Sequence, residues 1–529
     1  MKKSILSLFV IATVLQSSYG QNLNVTLASN KDYSGTLANI SSWKDPQDGK
    51  EYALVSVGNG VSIVDVTNPN SISEIVLIPG PSCTWYEIKV NGNYMYVTTE
   101  CGPLQIVNLT NLPGTNLQTA SWSPTIAGTQ LQKIHALHID NGKVYLYGSN
   151  VGKKGAIVAD IKTNPMAPVY LGSYDTRYIH DGYVRNDTMY ACHIFEGDCE
   201  VVNMKNPAAG VSLATWKTPN AFTHNSWLTH DSKAVLTTDE KSNSFLASYD
   251  ISNLSNVTEI DRIQSNPGTN SMVHNTHVVR KGEVDFAVTS WYTDGITIVD
   301  ASHPYNLVQV GNYDTEPGSG SGCWGVDPFL PSGTIVASDM GKGLFVLNPT
   351  YVRACFLEGK VTCNGTVIAG AQIKILNPPT VNINSATDLS DPLGKYGVGV
   401  VTPGTYSVTI SKAGQTSQTV VVTLTTGNTT VLDINLCGTN NGINELKSGN
   451  GSVEIYPNPV STRTEIRVSG FESQELSFTL YDIHGKEVRK ATIDKEATKF
   501  ERADLKKGMY FYVISDGKGT TNTGKILVD

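Results

Sequence analysis

Residues 220–250, NAFTHNSWLTHDSKAVLTTDEKSNSFLASYD, contain the unit from which most of this chain is built. A start with a central aromatic or imidazole residue (FTHNSW) leads into a strand, followed by strands of the kind AVLTTD and SFLASYD. Related starts recur at intervals of 42 to 50 residues. A period of this size, filled by about four short strands, is typical of β-propeller blades. The third residues of the seven starts are Trp43, Trp85, His135, His180, His224, His274 and Trp324.

Composition supports an all-β protein with several domains. The chain has 529 residues, including 48 Gly, 23 Pro and 24 Tyr, and is too long for one ordinary core. We predict a seven-bladed β-propeller over residues 21–350, followed by two small β-sandwich domains. The net charge of −8 and the scattered lysines offer no basic face, so nucleic acid is not an expected partner.

The first 20 residues have the pattern of a secretory signal peptide. Two lysines precede the apolar run ILSLFVIATVL, and Ser18 and Gly20 are small residues suited to signal peptidase. The run is about half of the roughly 20 residues that a bilayer core requires, and no later apolar segment reaches that length. We therefore expect a secreted or surface-exposed monomer without a membrane span in its mature form.

Eight cysteines in an exported chain permit disulfides. Cys83 and Cys101 flank the turn at residues 91–93, and Cys192 and Cys199 flank Glu196-Gly197, so each pair is expected on facing strands and is predicted to be bonded. Buried free thiols are the alternative for all eight. Four cysteines remain unassigned: Cys323, Cys355, Cys363 and Cys437.

The two ends of the propeller segment complement each other. Residues 22–29 (NLNVTLAS) alternate apolar and polar residues but have no blade of their own, whereas the last repeat supplies only three strands. We predict that the N-terminal strand completes the seventh blade and so removes two exposed sheet edges.

Several stretches resemble a known propeller family. They include EYALVSVGNGVSIVDVTNP (residues 51–69), GNYMYVTTECGPLQIVNLTNL (92–112) and DGITIVDASHP (294–304). These are similar to the LVIVD-repeat propellers of the choice-of-anchor B family. The resemblance implies an extracellular propeller and implies no reaction.

Two further segments resemble accessory domains. Residues 351–437, with LEGKVTCNGTVIAGAQIKI and GKYGVGVVTPGTYSVTISKAG, are similar to the immunoglobulin-like carboxypeptidase regulatory-like domain. Residues 438–452 have the composition of a flexible linker. Residues 453–529 resemble the type A C-terminal sorting domain of the type IX secretion system of Bacteroidetes, which implies the type IX machinery as a partner. The positions that carry this resemblance are Tyr456, Pro457, Asn458, Pro459, Gly508, Tyr510, Gly524, Lys525, Ile526, Leu527 and Val528.

The repeat starts supply the candidate site. Since the first strand of every blade lines the channel, equivalent residues form a ring with imidazoles on one arc and indoles on the other. Asp181 follows one of these histidines directly, and Glu100 and Asp239-Glu240 end second strands at the same face.

Three interpretations of this ring remain open. The indoles, the imidazoles and Asp181 form a binding pocket for a sugar, a peptide end or another polar ligand. Alternatively, His180, His224 and His274 with Glu240 hold a divalent metal ion, the one candidate cofactor. In the third, each histidine hydrogen-bonds between neighbouring blades and sets their register.

The predicted function is recognition of an extracellular glycan, peptide or protein at the channel mouth. The alternative is a metal-dependent extracellular hydrolase that uses His135, His180, His224 and His274, with the ion activating water. We predict no catalytic residue with the binding function, because serine and cysteine nucleophile motifs are missing from the sequence.

Overall fold

The computed structural model describes residues 22–266, 269–317, 322–378, 385–437, 452–469, 475–483, 486–494, 497–515 and 521–529. The predicted signal peptide and residues 438–451 of the predicted linker lie outside these ranges. The chain divides into two compact units, one of residues 1–361, 368–406 and 423–434 and one of residues 362–367, 407–422 and 435–529. No helix among the described residues is long and apolar enough to cross a membrane.

The described residues of the first unit form seven four-stranded antiparallel sheets, the propeller blades. Strand β1 is Val25–Lys31. Blade 1 comprises β2 (Ile40–Lys44), β3 (Glu51–Ser56), β4 (Gly60–Asp65) and β5 (Ser73–Pro79), and blade 2 comprises β6 (Tyr86–Asn91), β7 (Tyr94–Thr99), β8 (Gly102–Asn108) and β9 (Thr119–Trp122). A two-stranded ribbon, β10 (Thr125–Ile126) and β11 (Thr129–Gln130), follows blade 2.

The next three blades repeat this order. Blade 3 comprises β12 (Ala136–Asp140), β13 (Lys143–Tyr147), β14 (Ala156–Asp160) and β15 (Val169–Tyr174). Blade 4 comprises β16 (Asp181–Arg185), β17 (Thr188–His193), β18 (Asp198–Asn203) and, after a 3-10 turn at Pro207–Ala209, β19 (Val211–Lys217). Blade 5 comprises β20 (Thr223–Leu228), β21 (Ala234–Asp239), β22 (Leu246–Asp250) and β23 (Thr258–Ile263).

The last two blades close the circle. Blade 6 comprises β24 (Val273–Lys281), β25 (Val284–Trp291), β26 (Gly295–Asp300) and β27 (Val308–Tyr313). Blade 7 comprises β28 (Cys323–Asp327), β29 (Ile335–Asp339) and β30 (Gly343–Pro349), and β1 pairs with β30 as its outermost strand. The prediction that the N-terminal strand completes the last blade is confirmed. First strands of successive blades contact one another around the circle, including β2 with β28.

Burial explains the sequence pattern of each blade. Every residue of β3 (EYALVS) is buried, because a middle strand is covered by a blade on either side, whereas the outermost strand β5 is largely exposed. Apolar side chains of adjacent blades interlock, as Leu54 of blade 1 does with Ile88 and Val97 of blade 2 in one buried cluster. Blade-to-blade burial is therefore the main force that holds the propeller together.

The segment after blade 7 begins the first β-sandwich. Its entry into this domain is fixed by Asp300, which accepts hydrogen bonds from Arg353 Nε (3.1 Å) and the backbone nitrogen of Ala354 (2.9 Å). The strands are β31 (Cys355–Cys363), β32 (Thr366–Val367), β33 (Gln372–Ile375), β34 (Thr387–Leu389), β35 (Lys395–Val400), β36 (Gly404–Ser411), β37 (Gln418–Leu424), β38 (Thr429–Val431) and β39 (Ile434–Asn435). Within the first unit, β31 pairs antiparallel with β35 and parallel with β38.

The C-terminal domain, in the second unit, consists of two sheets over one apolar core. One sheet has the order β40 (Ser452–Tyr456), β41 (Arg463–Ser469) and β44 (Thr498–Glu501). The other has the order β43 (Glu487–Asp494), β42 (Glu475–Tyr481), β45 (Gly508–Ser515) and β46 (Thr521–Val528). The all-β prediction, a propeller followed by two sandwiches, is confirmed.

The two ends of the predicted sorting signal meet in this domain. Asn458 Oδ1 accepts a hydrogen bond from the backbone nitrogen of Leu527 (2.8 Å), and its Nδ2 donates to the carbonyl of Lys525 (3.2 Å). Tyr456 is 81% exposed, whereas Tyr510 is buried and donates to the carbonyl of Lys506. The Tyr-Pro-Asn-Pro opening is therefore held against the last strand.

The disulfides agree only in part with the sequence prediction. Cys83 and Cys101 are bonded, as predicted. The predicted Cys192–Cys199 bond is wrong, because these residues face each other across β17 and β18 as buried free thiols. Burial raises the pKa of Cys192 well above its usual value, which keeps it protonated. Two cysteines that the sequence left unassigned, Cys363 and Cys437, form a second disulfide.

Candidate functional site

Six aromatic side chains form an arc at the start of the first strands; we call this set the mouth layer. Consecutive ring centroids lie 4.2 Å (His135 to His180), 4.7 Å (His180 to His224), 4.1 Å (His224 to His274), 4.0 Å (His274 to Trp324) and 4.5 Å (Trp324 to Trp85) apart. The structure thus brings the four predicted histidines and two of the three predicted tryptophans together.

Trp43 lies outside the mouth layer, which corrects its assignment to the ring. It stands within β2, stacks on Tyr52 at 5.7 Å, and donates from Nε1 to the carbonyl of Gly92 in blade 2. The residue directly before β2 is Asn39, which is buried and accepts a hydrogen bond from the backbone nitrogen of Ile88 (3.2 Å). Aligning tryptophans therefore shifted blade 1 by four residues relative to the other blades.

One carboxylate of the site is Glu100, at the end of β7. Its Oε1 lies 2.8 Å from His135 Nδ1 and its Oε2 accepts from Lys133 Nζ at 2.8 Å. The hydrogen bond with His135 is the main cause that lowers the pKa of Glu100 to about 2. An open depression of about 550 Å³ adjoins this carboxylate. It is lined by Thr36, Gly58, Ser82, Cys83, Thr84, Trp85, Glu100 and Cys101.

A second carboxylate, Glu240, lies at the end of β21 near the other imidazoles. Its Oε2 is 3.7 Å from His224 Nε2, its Oε1 is 3.9 Å from His274 Nε2, and Oε1 accepts from the Tyr292 hydroxyl at 2.6 Å. One ligand atom each from His180, His224 and Glu240 lie within 4.8 Å of one another. This trio contains three of the four predicted metal ligands.

The imidazoles of this trio and of His274 are buried and electrically neutral near pH 7. Burial lowers the pKa of His224, and it lowers those of His180 and His274 well below their usual values. His224 Nδ1 and both ring nitrogens of His274 make no hydrogen bond of ordinary geometry among the described residues. The backbone of His274 nevertheless interacts with His224 and that of Trp324 with His274, and each interaction raises the pKa of its imidazole against the larger effect of burial.

Asp181 connects neighbouring blades through a chain of hydrogen bonds. Its Oδ2 accepts from Asn225 Nδ2 (2.7 Å), and Asn225 Oδ1 in turn accepts from the backbone nitrogen of Thr276 (3.1 Å). This chain joins blades 4, 5 and 6, as the register-setting interpretation expects of the residues after the histidines. The predicted role of Asp181 in ligand binding is therefore not favoured by its contacts.

A second aromatic set, which we call the inner layer, lies deeper in the same strands. It consists of His138, Tyr183, Trp227 and His277, whose successive centroids are 4.7, 4.6 and 4.7 Å apart. Each member lies three residues after a mouth-layer histidine. This offset is visible in the sequence for His138 and His277 and predicts that they pack between blades, whereas Tyr183 and Trp227 are not singled out by any motif.

Two further histidines of the propeller have fixed partners. His193 binds Glu200 through Nε2 (2.9 Å) and the carbonyl of Tyr178 through Nδ1 (2.7 Å). His230 Nδ1 lies 2.8 Å from Asp285 of the next blade. These contacts hold loops and blades, and neither histidine belongs to the site.

Comparisons with known proteins agree with this architecture. Residues 50–77, 86–117 and 290–315 match the LVIVD repeat, residues 357–437 the carboxypeptidase regulatory-like domain, and residues 454–529 the secretion system C-terminal sorting domain. The resemblances to these three are confirmed, and the tail marks the chain for export by the type IX system.

One solved structure and one negative result complete the comparisons. The beta-propeller domain of Cps50 (Swd1) from Myceliophteria thermophila aligns at 11% identity and a TM-score of 0.44, covering 62% of this chain and 100% of that chain. No curated protein matches the sequence.

Proposed function

We propose that this chain is an exported binding protein whose propeller recognises a small polar extracellular ligand, most simply a carbohydrate, in the depression beside Glu100. The observation that carries the proposal is the combination at this place of an open 550 Å³ depression, an indole and a carboxylate. Ligand sites are concave, with apolar walls and a few well-placed polar groups.

The lining fits a sugar in chemical terms. Trp85 is half-buried and offers apolar ring surface, and Thr36, Ser82 and Thr84 supply small hydroxyl-bearing side chains. Glu100 stays ionised, and each carboxylate oxygen has lone-pair capacity beyond its one bond to His135 or Lys133. Sugar hydroxyls can donate to that remaining capacity. The Cys83–Cys101 disulfide also lines the depression and links the segment of Trp85 to the segment of Glu100.

Export places such a site outside the cell. The C-terminal domain directs the chain to the type IX machinery and so to the cell surface or the medium. We propose that residues 1–20 provide the first export step as a cleaved signal peptide. The alternative prediction of a metal-dependent hydrolase has no support from the matched families.

A glycan array followed by titration tests the binding proposal. Purified protein should bind a defined set of sugars, and Trp85→Ala or Glu100→Gln should weaken binding of the best sugar about tenfold or more. The first change removes apolar ring surface, and the second removes the charged hydrogen-bond acceptor. Trp122→Ala is the matched control, because this half-buried tryptophan lies on β9, the outermost strand of the same blade. Unchanged affinity in both site variants would refute the proposed location, and hits on a peptide array alone would replace the sugar with a peptide.

A further inference from the structure

The geometry points to a transition-metal site formed by His180, His224 and Glu240, separate from the Glu100 depression. The ion class is zinc or a similar divalent first-row metal. This inference goes beyond the proposed function, because sugar recognition beside Glu100 does not require it.

The distances among the three ligand atoms are the first argument for a metal site. If the three ligand atoms were at the corners of a triangle with sides of 4.8 Å, its centre would lie about 2.8 Å from each. Zinc binds imidazole nitrogen and carboxylate oxygen at about 2.0–2.2 Å, so each donor would need to move inward by only about 0.7 Å. Side-chain rotation within one staggered well is sufficient for a movement of this size.

The hydrogen-bond partners of the three ligand residues are the second argument for the site. His224 Nδ1 is buried and makes no hydrogen bond of ordinary geometry among the described residues, and Nε2 is 3.7 Å from Glu240, which is too long for a hydrogen bond. His224 also interacts with the backbone of His274, and its Nε2 faces the Glu240 carboxylate at a distance that leaves room for an ion between them.

Two tyrosine hydroxyl groups contact the proposed ligands His180 and Glu240 on the side away from the ion. The Tyr178 hydroxyl lies 3.1 Å from His180 Nδ1, so the other ring nitrogen, Nε2, can bind the ion. Binding the ion would replace the present 3.2 Å contact of His180 Nε2 with His135 Nε2. The Tyr292 hydroxyl donates to Glu240 Oε1, which leaves Oε2, the oxygen nearer His224, for the ion. Outer hydrogen bonds of this kind are a regular feature of metal sites.

The ligand set also determines which ion fits. Two imidazoles and one carboxylate suit zinc, cobalt, nickel or copper, whereas calcium and magnesium prefer sites made of oxygen. Among the described residues, no other trio of His, Cys, Asp or Glu meets the same distance condition. His274 is outside the set, because its Nε2 is 3.9 Å from the other Glu240 oxygen, the one that Tyr292 holds.

Zinc and cobalt titrations of the full chain test the site. After treatment with a chelator, the wild type should take up one equivalent of Zn²⁺ by calorimetry, and Co²⁺ should give the visible absorption of a tetrahedral centre with nitrogen and oxygen ligands. His180→Ala, His224→Ala and Glu240→Gln should each lower the affinity about 100-fold or more, because loss of an outer group alone costs 10–100-fold. Glu240→Gln keeps the shape of the side chain and guards against misfolding as the cause.

The control uses a group of the same kind outside the trio. His230→Ala removes an imidazole of the same blade that contacts Asp285 rather than the trio, so it should retain wild-type zinc affinity. Absence of a stoichiometric ion in the wild type, unchanged affinity in the three site variants, or an equal loss in His230→Ala would each overturn the assignment. A sugar titration of the wild type in the presence of chelator tests only the proposed sugar binding. A failure of the sugar proposal can therefore be distinguished from a failure of the metal proposal.

Discussion

The mouth layer and the inner layer are built from the same strands, yet they differ in what they can bind. Both contain imidazoles, three residues apart along the first strands, with neighbouring ring centroids between 4.0 and 4.7 Å. Repetition of the blade therefore produced two similar aromatic layers. The difference lies in the charges beside them.

Carboxylates face the mouth layer, whereas an ammonium group influences the inner layer. Glu100 and Glu240 contact His135 and His224 at the mouth. In the inner layer, burial and then the charge of Lys89 lower the pKa of His138 to about 3, and the same two causes lower that of His277. Lys89 is itself paired with Glu87 (2.6 Å), so the layers differ in their direct partners: carboxylates contact imidazoles of the mouth layer, whereas the inner-layer imidazoles lie near an ion pair. Regularly spaced histidines alone do not make a site, and the acidic residue that ends the second strand decides the chemistry.

The largest effect is expected in the inner layer. Trp227→Ala should reduce the free energy of unfolding of the propeller by about 3–5 kcal/mol, because Trp227 packs between His277 and Tyr183 and against two apolar clusters. Sugar and zinc affinities of the folded variant should be unchanged. Guanidinium unfolding followed by circular dichroism measures the loss, with Trp122→Ala as a smaller reference change. If Trp227→Ala kept normal stability but bound sugar or zinc more weakly, the inner layer would serve binding rather than stability, contrary to the prediction.

A smaller change of opposite sign is expected at His274. Neither nitrogen of this buried imidazole makes a hydrogen bond of ordinary geometry, and its interaction with the backbone of Trp324 is outweighed by the effect of burial on its pKa, so His274→Phe should leave stability unchanged or raise it by about 1 kcal/mol. His193→Phe is the contrasting variant, since it would leave Glu200 without its 2.9 Å partner and should destabilise the fold by about 1–3 kcal/mol. Thermal unfolding of the two variants side by side measures the difference. A clear destabilisation by His274→Phe would mean that its nitrogens are used in the folded protein.

Most of the architecture could be predicted because its signals are local. Blade repeats, the lone strand before Asn39 and the motifs of the C-terminal tail each follow from short patterns that recur or stand alone in the chain. The error at Trp43 shows the limit of this reasoning. A repeated residue type indicates a repeated element, but only strand register shows that Asn39, four residues earlier, occupies the mouth position.

Three-dimensional information was needed at two points, one in the candidate site and one outside it. Tyr292 reaches Glu240 from the neighbouring blade, 52 residues away, and no spacing rule indicates that contact. Cys192 and Cys199 were correctly expected to face each other, yet facing positions do not ensure the side-chain geometry that a disulfide requires.

The smallest effect concerns the mouth carboxylate and pH. In the folded protein the pKa of Glu100 is about 2, below the value near 4.3 of an unfolded chain, because His135 and then Lys133 hydrogen-bond its charged form. Its contribution to stability is therefore complete above about pH 4.5 and is lost as pH falls toward 2. Glu100→Gln should destabilise the propeller at pH 7 by at most about 1 kcal/mol, since the pair is partly exposed and screened by solvent. The free energies of unfolding of the wild type and Glu100→Gln, measured between pH 7 and pH 2, should become equal at the acid end. A constant difference across that range would show that the ionised carboxylate does not hold His135 and Lys133 in place.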